Sequence, residues 1–208
     1  MVRAMTWDDV LERVQGSIDL MRGRADTGWR RLDVSADGFW NSFLAIPVCL
    51  PALLVIWLSH AGWLQRGQEE LSVGHAILAL ALIEVVVWVL TVALFALIAG
   101  PMRWGDRFVA TVIAVNWASV AFAYVRAIPA GIALLIGIGD GVAFITLIVA
   151  LLTLVAYGRL LTVSLEKPWP IVAGVFIASV ALGFVLSDVG HSILGLSPEV
   201  SLPGSETL

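Results

Sequence analysis

Of the 208 residues, 60% are hydrophobic and only 13% are charged. A soluble domain is about half apolar and about a quarter charged, so water is not the main solvent of this chain. The net charge of -4 is small and the twelve basic residues are spread over many segments, which excludes a nucleic-acid surface, while the lone Cys49 excludes an intramolecular disulfide.

From Thr6 to Arg22 the chain reads as an amphipathic helix. Trp7, Val10, Leu11, Val14, Ile18 and Met21 fall on one face, with Asp8, Asp9, Glu12, Arg13 and Asp19 elsewhere. Thr6 is placed to cap it, Asp9 stands three residues on in a capping-box position, and Gly23 is a stop. Arg22, Arg24, Arg30 and Arg31 with Trp29 follow, the mixture found where a chain nears a membrane, so the helix is expected to lie on a surface. No cleavable leader is expected, because the first apolar block begins near Gly38 behind a charged amphipathic stretch and Asp37, and the first span is expected to remain in the mature protein.

Five apolar blocks come next, at about residues 39–60, 73–99, 108–126, 141–163 and 170–189, each long enough to cross about 30 Å of hydrocarbon as a helix. The gaps carry turn residues: Gln65 to Gln68, Gly100-Pro101, Pro129-Ala130-Gly131 and Glu166-Lys167-Pro168. Residues 127–139 are apolar but too short for another crossing, and read as an interfacial or re-entrant segment or an extension of the third helix. Pro47 and Pro51 are expected to kink the first span.

Orientation follows from the basic residues. With five spans, Arg3, Arg13, Arg22, Arg24, Arg30, Arg31, Arg103, Arg107, Arg159 and Lys167 share one side, and only Arg66 and Arg126 the other. The positive-inside rule then places the N-terminus in the cytoplasm. Trp40, Trp57, Trp63, Trp104 and Trp169 stand near span ends, as an aromatic belt requires. The expected architecture is an all-α, polytopic membrane helix bundle of about five transmembrane helices with an N-terminal amphipathic helix: a cytoplasmic region (1–38), a membrane domain (39–190) and a short acidic non-cytoplasmic tail (191–208).

Glu84 is the most informative residue, because a carboxylate near the middle of the second span costs several kcal/mol unless paired, hydrated or protonated. Asn116, at similar depth in the third span, is the nearest partner, and Trp88, one turn from Glu84, has an indole donor to offer. This trio is the candidate intramembrane polar site, readable as interhelical glue or as a proton- or ion-coupled centre. Ala110, Ala114, Ala118 and Ala121 on one face of the third span, and Asn116, Ser119 and Ala123 on the other, are made for close contact and put this helix at the centre of the bundle. Gly174, Ala178 and Ala181 form a similar seam on the last span. Thr146, Thr153 and Tyr157 align on the fourth, readable as an extension of a polar interior or, at less cost, as side chains satisfied by local hydrogen bonds.

His60, His75 and His191 map to one end of the bundle with Asp140 and Asp188, but without paired-ligand spacing they read as solvated interfacial residues, and no metal site is assigned. Gly137, Gly139 and Gly141 follow no strand and lie among apolar residues, so phosphate-loop readings fail on context. No catalytic motif and no cofactor site is visible.

The layout resembles the Yip family of Rab-interacting membrane proteins and their bacterial relatives: a cytoplasmic N-terminal region, five closely spaced spans and an outside tail. The similar stretches are Arg107 to Tyr124, with its Ala- and Ser-rich third span, and Leu152 to Val180, where an aromatic residue, Arg159 and a Pro-containing turn lead into the last helix. The resemblance covers about residues 38–190. The Asp-Leu-Tyr-Gly-Pro motif of the eukaryotic members has no counterpart here, so Rab binding is not carried over. What the resemblance implies is a helical membrane module associated with membrane organisation or partner binding.

The expectation is therefore a non-enzymatic integral membrane protein, a membrane-organising or assembly component. It sits in the lipid bilayer and binds a protein partner or forms a homo-oligomer, with no nucleic acid and no cofactor. The alternative is a small oligomeric transporter or channel using the midplane carboxylate. Eleven of the twelve basic residues are Arg, which with abundant Ala, Gly and Val matches a GC-rich bacterial genome. The expected location is thus a bacterial inner membrane, N-terminus cytoplasmic and C-terminus periplasmic.

Overall fold

The computed structural model describes residues 5–68, 70–137 and 139–196, and every regular element in them is a helix. Arg3 and most of the acidic tail lie outside the described residues. Helix α1 spans Trp7–Met21, α2 Ala25–Arg31, α3 Ala36–Ser42, α4 Ala45–Gly67, α5 Val73–Ala99, α6 Phe108–Ile136, α7 Asp140–Leu165 and α8 Trp169–Ile193.

Helix α1 begins as its sequence dictates. The Thr6 side chain accepts from the Asp9 backbone N–H, and the Asp9 carboxylate accepts from the Thr6 N–H at 2.8 Å, closing a reciprocal cap. Gly23, at φ +78°, turns the chain back into α2. The two helices then cross closely: a Cβ on Gly28 would stand 2.5 Å from Leu20 Cδ2 and 2.9 Å from the Gly16 carbonyl oxygen. Only glycine fits there. The covered side of α1 is consequently turned from the one expected. Val10, Gly16, Ser17, Leu20 and Met21 are buried, whereas Trp7 and Leu11 are exposed. Asp19, expected on the solvated face, is buried between Arg31, at 3.4 Å, and Arg24, at 3.8 Å. What α1 lies on is the chain itself: Ser17 donates to the Ala114 carbonyl of α6 at 3.2 Å.

Five helical stretches are long and apolar enough to cross a bilayer: 36–67, 73–99, 105–136, 140–165 and 169–193. This is the architecture of a multi-pass membrane protein. The first stretch breaks between α3 and α4, at Phe43 and Leu44, three residues before Pro47. The cause is local: the Pro47 ring collides with the carbonyl four residues back, that of Phe43, and offers it no donor. Helix α4 continues through Pro51. Residues 127–136 extend the third span, and α6 runs through Pro129 until Gly137, at φ +85°, ends it with its N–H on the Ala133 carbonyl.

Helix α6 is the axis of the bundle. Half of its apolar window is buried, against 6% for that of α7. Ala114 and Ala118 on one face and Asn116 and Ala123 on the other are all covered, so the small residues of α6 are used inside the chain. At one end of the bundle the loop before α6 meets the loop before α8, through Arg107 with Glu166 and Lys167 with Asp106 at 3.4 Å. At the other end His75 Nε2 bonds the Leu194 carbonyl at 2.9 Å, joining the start of α5 to the end of α8.

Candidate functional site

The polar interior is built on α6. Asn116 is 1% exposed, and its amide takes the Trp88 indole N–H of α5 at 2.9 Å while donating to Ser42 Oγ of α3 at 2.8 Å. Ser42 reaches it because α3 ends just there, and its own hydroxyl donates to the Phe39 carbonyl at 2.7 Å. Below Asn116, Ser119 donates to the Asn116 backbone carbonyl at 2.6 Å and lies 3.8 Å from the buried Cys49 sulfur. This chain of bonds ties three helices together. It is a structural knot, in which each member has a partner.

Glu84 is not part of it. The amide expected to hold the carboxylate bonds Trp88 and Ser42, and the indole expected to reach Glu84 points to Asn116 instead. Among the described residues no hydrogen bond and no ion pair engages the Glu84 carboxylate. Its side chain is half-buried and lines a cavity of about 290 Å³. All five apolar stretches contribute to the cavity walls: Cys49 from α4, Glu84 from α5, Ser119 and Arg126 from α6, Tyr157 from α7 and Ser179 from α8. The Tyr157 hydroxyl donates to Ser179 Oγ at 3.0 Å across the α7–α8 contact. Thr146 and Thr153 bond the carbonyls four residues back on α7, both at 2.8 Å.

The arrangement places one carboxylate and one guanidinium on the walls of the same intramembrane cavity, without a direct ion pair between them. A carboxylate at this depth needs a partner, and the surface it shares with other polar groups is the cavity wall. Arg126 is the residue that sequence reasoning left out of the candidate site, because it counted only as a charge at the non-cytoplasmic end of the third span. Continuous apolar residues on both sides of it, from Phe108 to Ile136, were the available signal. Tyr157 was signalled by its alignment with Thr153, and both line the cavity, whereas Ser42 and Ser179 had no such signal, since their roles depend on how the helices are rotated.

Two of the three histidines meet. His60 and His191 bring their ring centroids to 5.4 Å, His191 Nδ1 bonds the Ser187 carbonyl at 2.6 Å, and His75 is held on Leu194. No group of three or more His, Cys, Asp or Glu among the described residues is placed to hold a metal.

No protein-family model matches the chain, and neither a curated protein nor a solved structure matches it.

Proposed function

We propose that this chain is a non-enzymatic transporter or channel subunit of a membrane, in which Glu84 carries a proton or a small cation through a cavity shared by all five spans. One observation carries the reading: the Glu84 carboxylate has no bonding partner among the described residues and lines that cavity, while the neighbouring amide is bonded elsewhere. A structural glutamate would be paired, because an unpaired buried charge is costly. The small-residue seam of α6 and the docked face of α1, which favoured partner binding, are occupied within the chain. The proposed setting is a bacterial inner membrane with the arginine-rich end of the bundle in the cytoplasm, on the strength of the basic-residue asymmetry.

Proteoliposome flux tests the proposal. Wild type should dissipate an imposed proton or monovalent-cation gradient, and Glu84→Gln should lower the rate at least about tenfold with helicity unchanged. No wild-type flux above that of empty liposomes, or equal flux in the variant, overturns it. A second reading, partner binding of the kind the Yip resemblance implies, draws on the uncovered strip of Trp7 and Leu11 near the start of α1. Affinity purification in mild detergent decides it: recovery of isolated monomers alone counts against partners.

A further inference from the structure

Arg126 has a second side. Between α4, α6 and α7 lies a cavity of about 600 Å³, twice the size of the first and separate from Glu84. Ser59, His60 and Trp63 of α4 form one wall, Arg126 and Pro129 of α6 the floor, and α7 around Thr146 the other wall. That volume is typical of sites for ligands of a few hundred daltons. The groove opens sideways because α7 is gripped only near its ends, by Val142 at one and by Leu160, Leu161, Ser164 and Leu165 at the other. Between them, Phe144, Leu147 and Leu151 are exposed to the surroundings of the bundle.

The depth of Arg126 defines what can bind. At 1.5 Å per residue it stands about 27 Å along α6 from Phe108, near the far boundary of a hydrocarbon layer about 30 Å thick. Trp63, half-exposed on the facing helix, belongs to the aromatic belt of that boundary. The Arg126 side chain is exposed and forms no ion pair with any described residue. A guanidinium at this level lacks bulk water on one side and matches a phosphate oxygen pair in geometry and charge. We infer that the groove binds one anionic phospholipid, its phosphate on Arg126 and an acyl chain laid along the apolar wall of α7. A soluble anion would leave that wall without a partner, and a zwitterionic lipid brings an ammonium that offsets the attraction. The inference goes beyond the flux proposal and does not depend on Glu84.

Native mass spectrometry of the detergent-solubilised full chain, delipidated and then supplied with phosphatidylglycerol or phosphatidylcholine at equal concentration, tests it. Wild type should hold a single phosphatidylglycerol at least about tenfold more tightly than phosphatidylcholine. Arg126→Gln should abolish the difference, and Arg126→Lys should keep most of it. Ala150→Trp fills the groove from its exposed α7 wall and should expel the lipid with Arg126 intact, a check that survives if Arg126→Gln does not fold. Equal retention of the two lipids by wild type, unchanged retention in Arg126→Gln or Ala150→Trp, or displacement by millimolar inorganic phosphate overturns the inference.

Discussion

Replacing Asn116 with alanine removes the acceptor of the Trp88 indole and the donor to Ser42 in one step. The two bonds, at 2.9 and 2.8 Å, bind three helices at a site that is 1% exposed. Interhelical hydrogen bonds in membranes average about 0.6 kcal/mol, with a maximum near 1.7. A buried donor left without an acceptor adds about 1–3 kcal/mol. Asn116→Ala should therefore destabilise the protein by about 2–4 kcal/mol. In a double-mutant cycle with Trp88→Phe the coupling should be about 1–2 kcal/mol, because the second substitution removes the orphaned donor. The parallel cycle of Asn116→Ala with Glu84→Gln should be additive, since the carboxylate and the amide share no bond. Sodium dodecyl sulfate titration in mixed micelles, followed by far-ultraviolet circular dichroism, measures both. Additivity within about 0.3 kcal/mol for Trp88 and Asn116, or a coupling above about 1 kcal/mol for Glu84 and Asn116, would refute the independence of the Asn116 bonds from the carboxylate.

Two further outcomes follow at the arginine-rich end. Gly28→Ala drives a methyl group into Leu20 and the Gly16 carbonyl, and should loosen the α1–α2 contact by about 1–3 kcal/mol. Faster trypsin cleavage at the exposed Arg22 and Arg24 reports it, and an unchanged rate would mean that the close crossing is not what holds α1 in place. Hydrogen bonding from Ser35, assisted by the Arg13 charge 3.9 Å away, holds the Asp33 carboxyl below its ordinary range against a smaller opposing effect of burial. A depressed folded-state value stabilises the α2–α3 turn above the unfolded pKa of about 3.9, and that contribution is lost as pH falls through the folded value. Asp33 is partly exposed, so the loss should stay below about 1 kcal/mol. Asp33→Asn should flatten the stability profile between pH 5 and 2, about the range over which such a carboxylate titrates; a slope equal to that of wild type would remove Asp33 from the account.

The spans were legible because each apolar block is long enough to pay for crossing lipid, and 73–99 coincides with α5 at both ends. Thr6 and Asp9 announced the start of α1 by side-chain chemistry that needs no tertiary context. For residues 127–139 three readings stayed open because Arg126 and Pro129 look like an ending, and the structure takes the one that extends the third helix. Near the boundary an arginine reaches polar surroundings, and a proline late in a helix frees only one carbonyl, so neither stops α6. The pairing of Glu84 with Asn116 failed for a different reason. Counting residues along a span measures depth, whereas the choice of partner is set by rotation about the helix axis and by the break at Phe43 that delivers Ser42. The covered face of α1 was misjudged in the same way, since Gly16 and Ser17 drew the helix in on their own side by allowing close approach.

Whether water and ions reach Glu84 can be read directly. In a Cys49→Ala background, a thiol introduced as Glu84→Cys is exposed to a small, water-soluble methanethiosulfonate reagent in intact proteoliposomes, beside Ala118→Cys, whose position is wholly buried in helix contacts. The cavity predicts labelling at position 84 at least about tenfold faster than at 118. Equal, slow labelling at the two positions would make the Glu84 site dry and contradict the account.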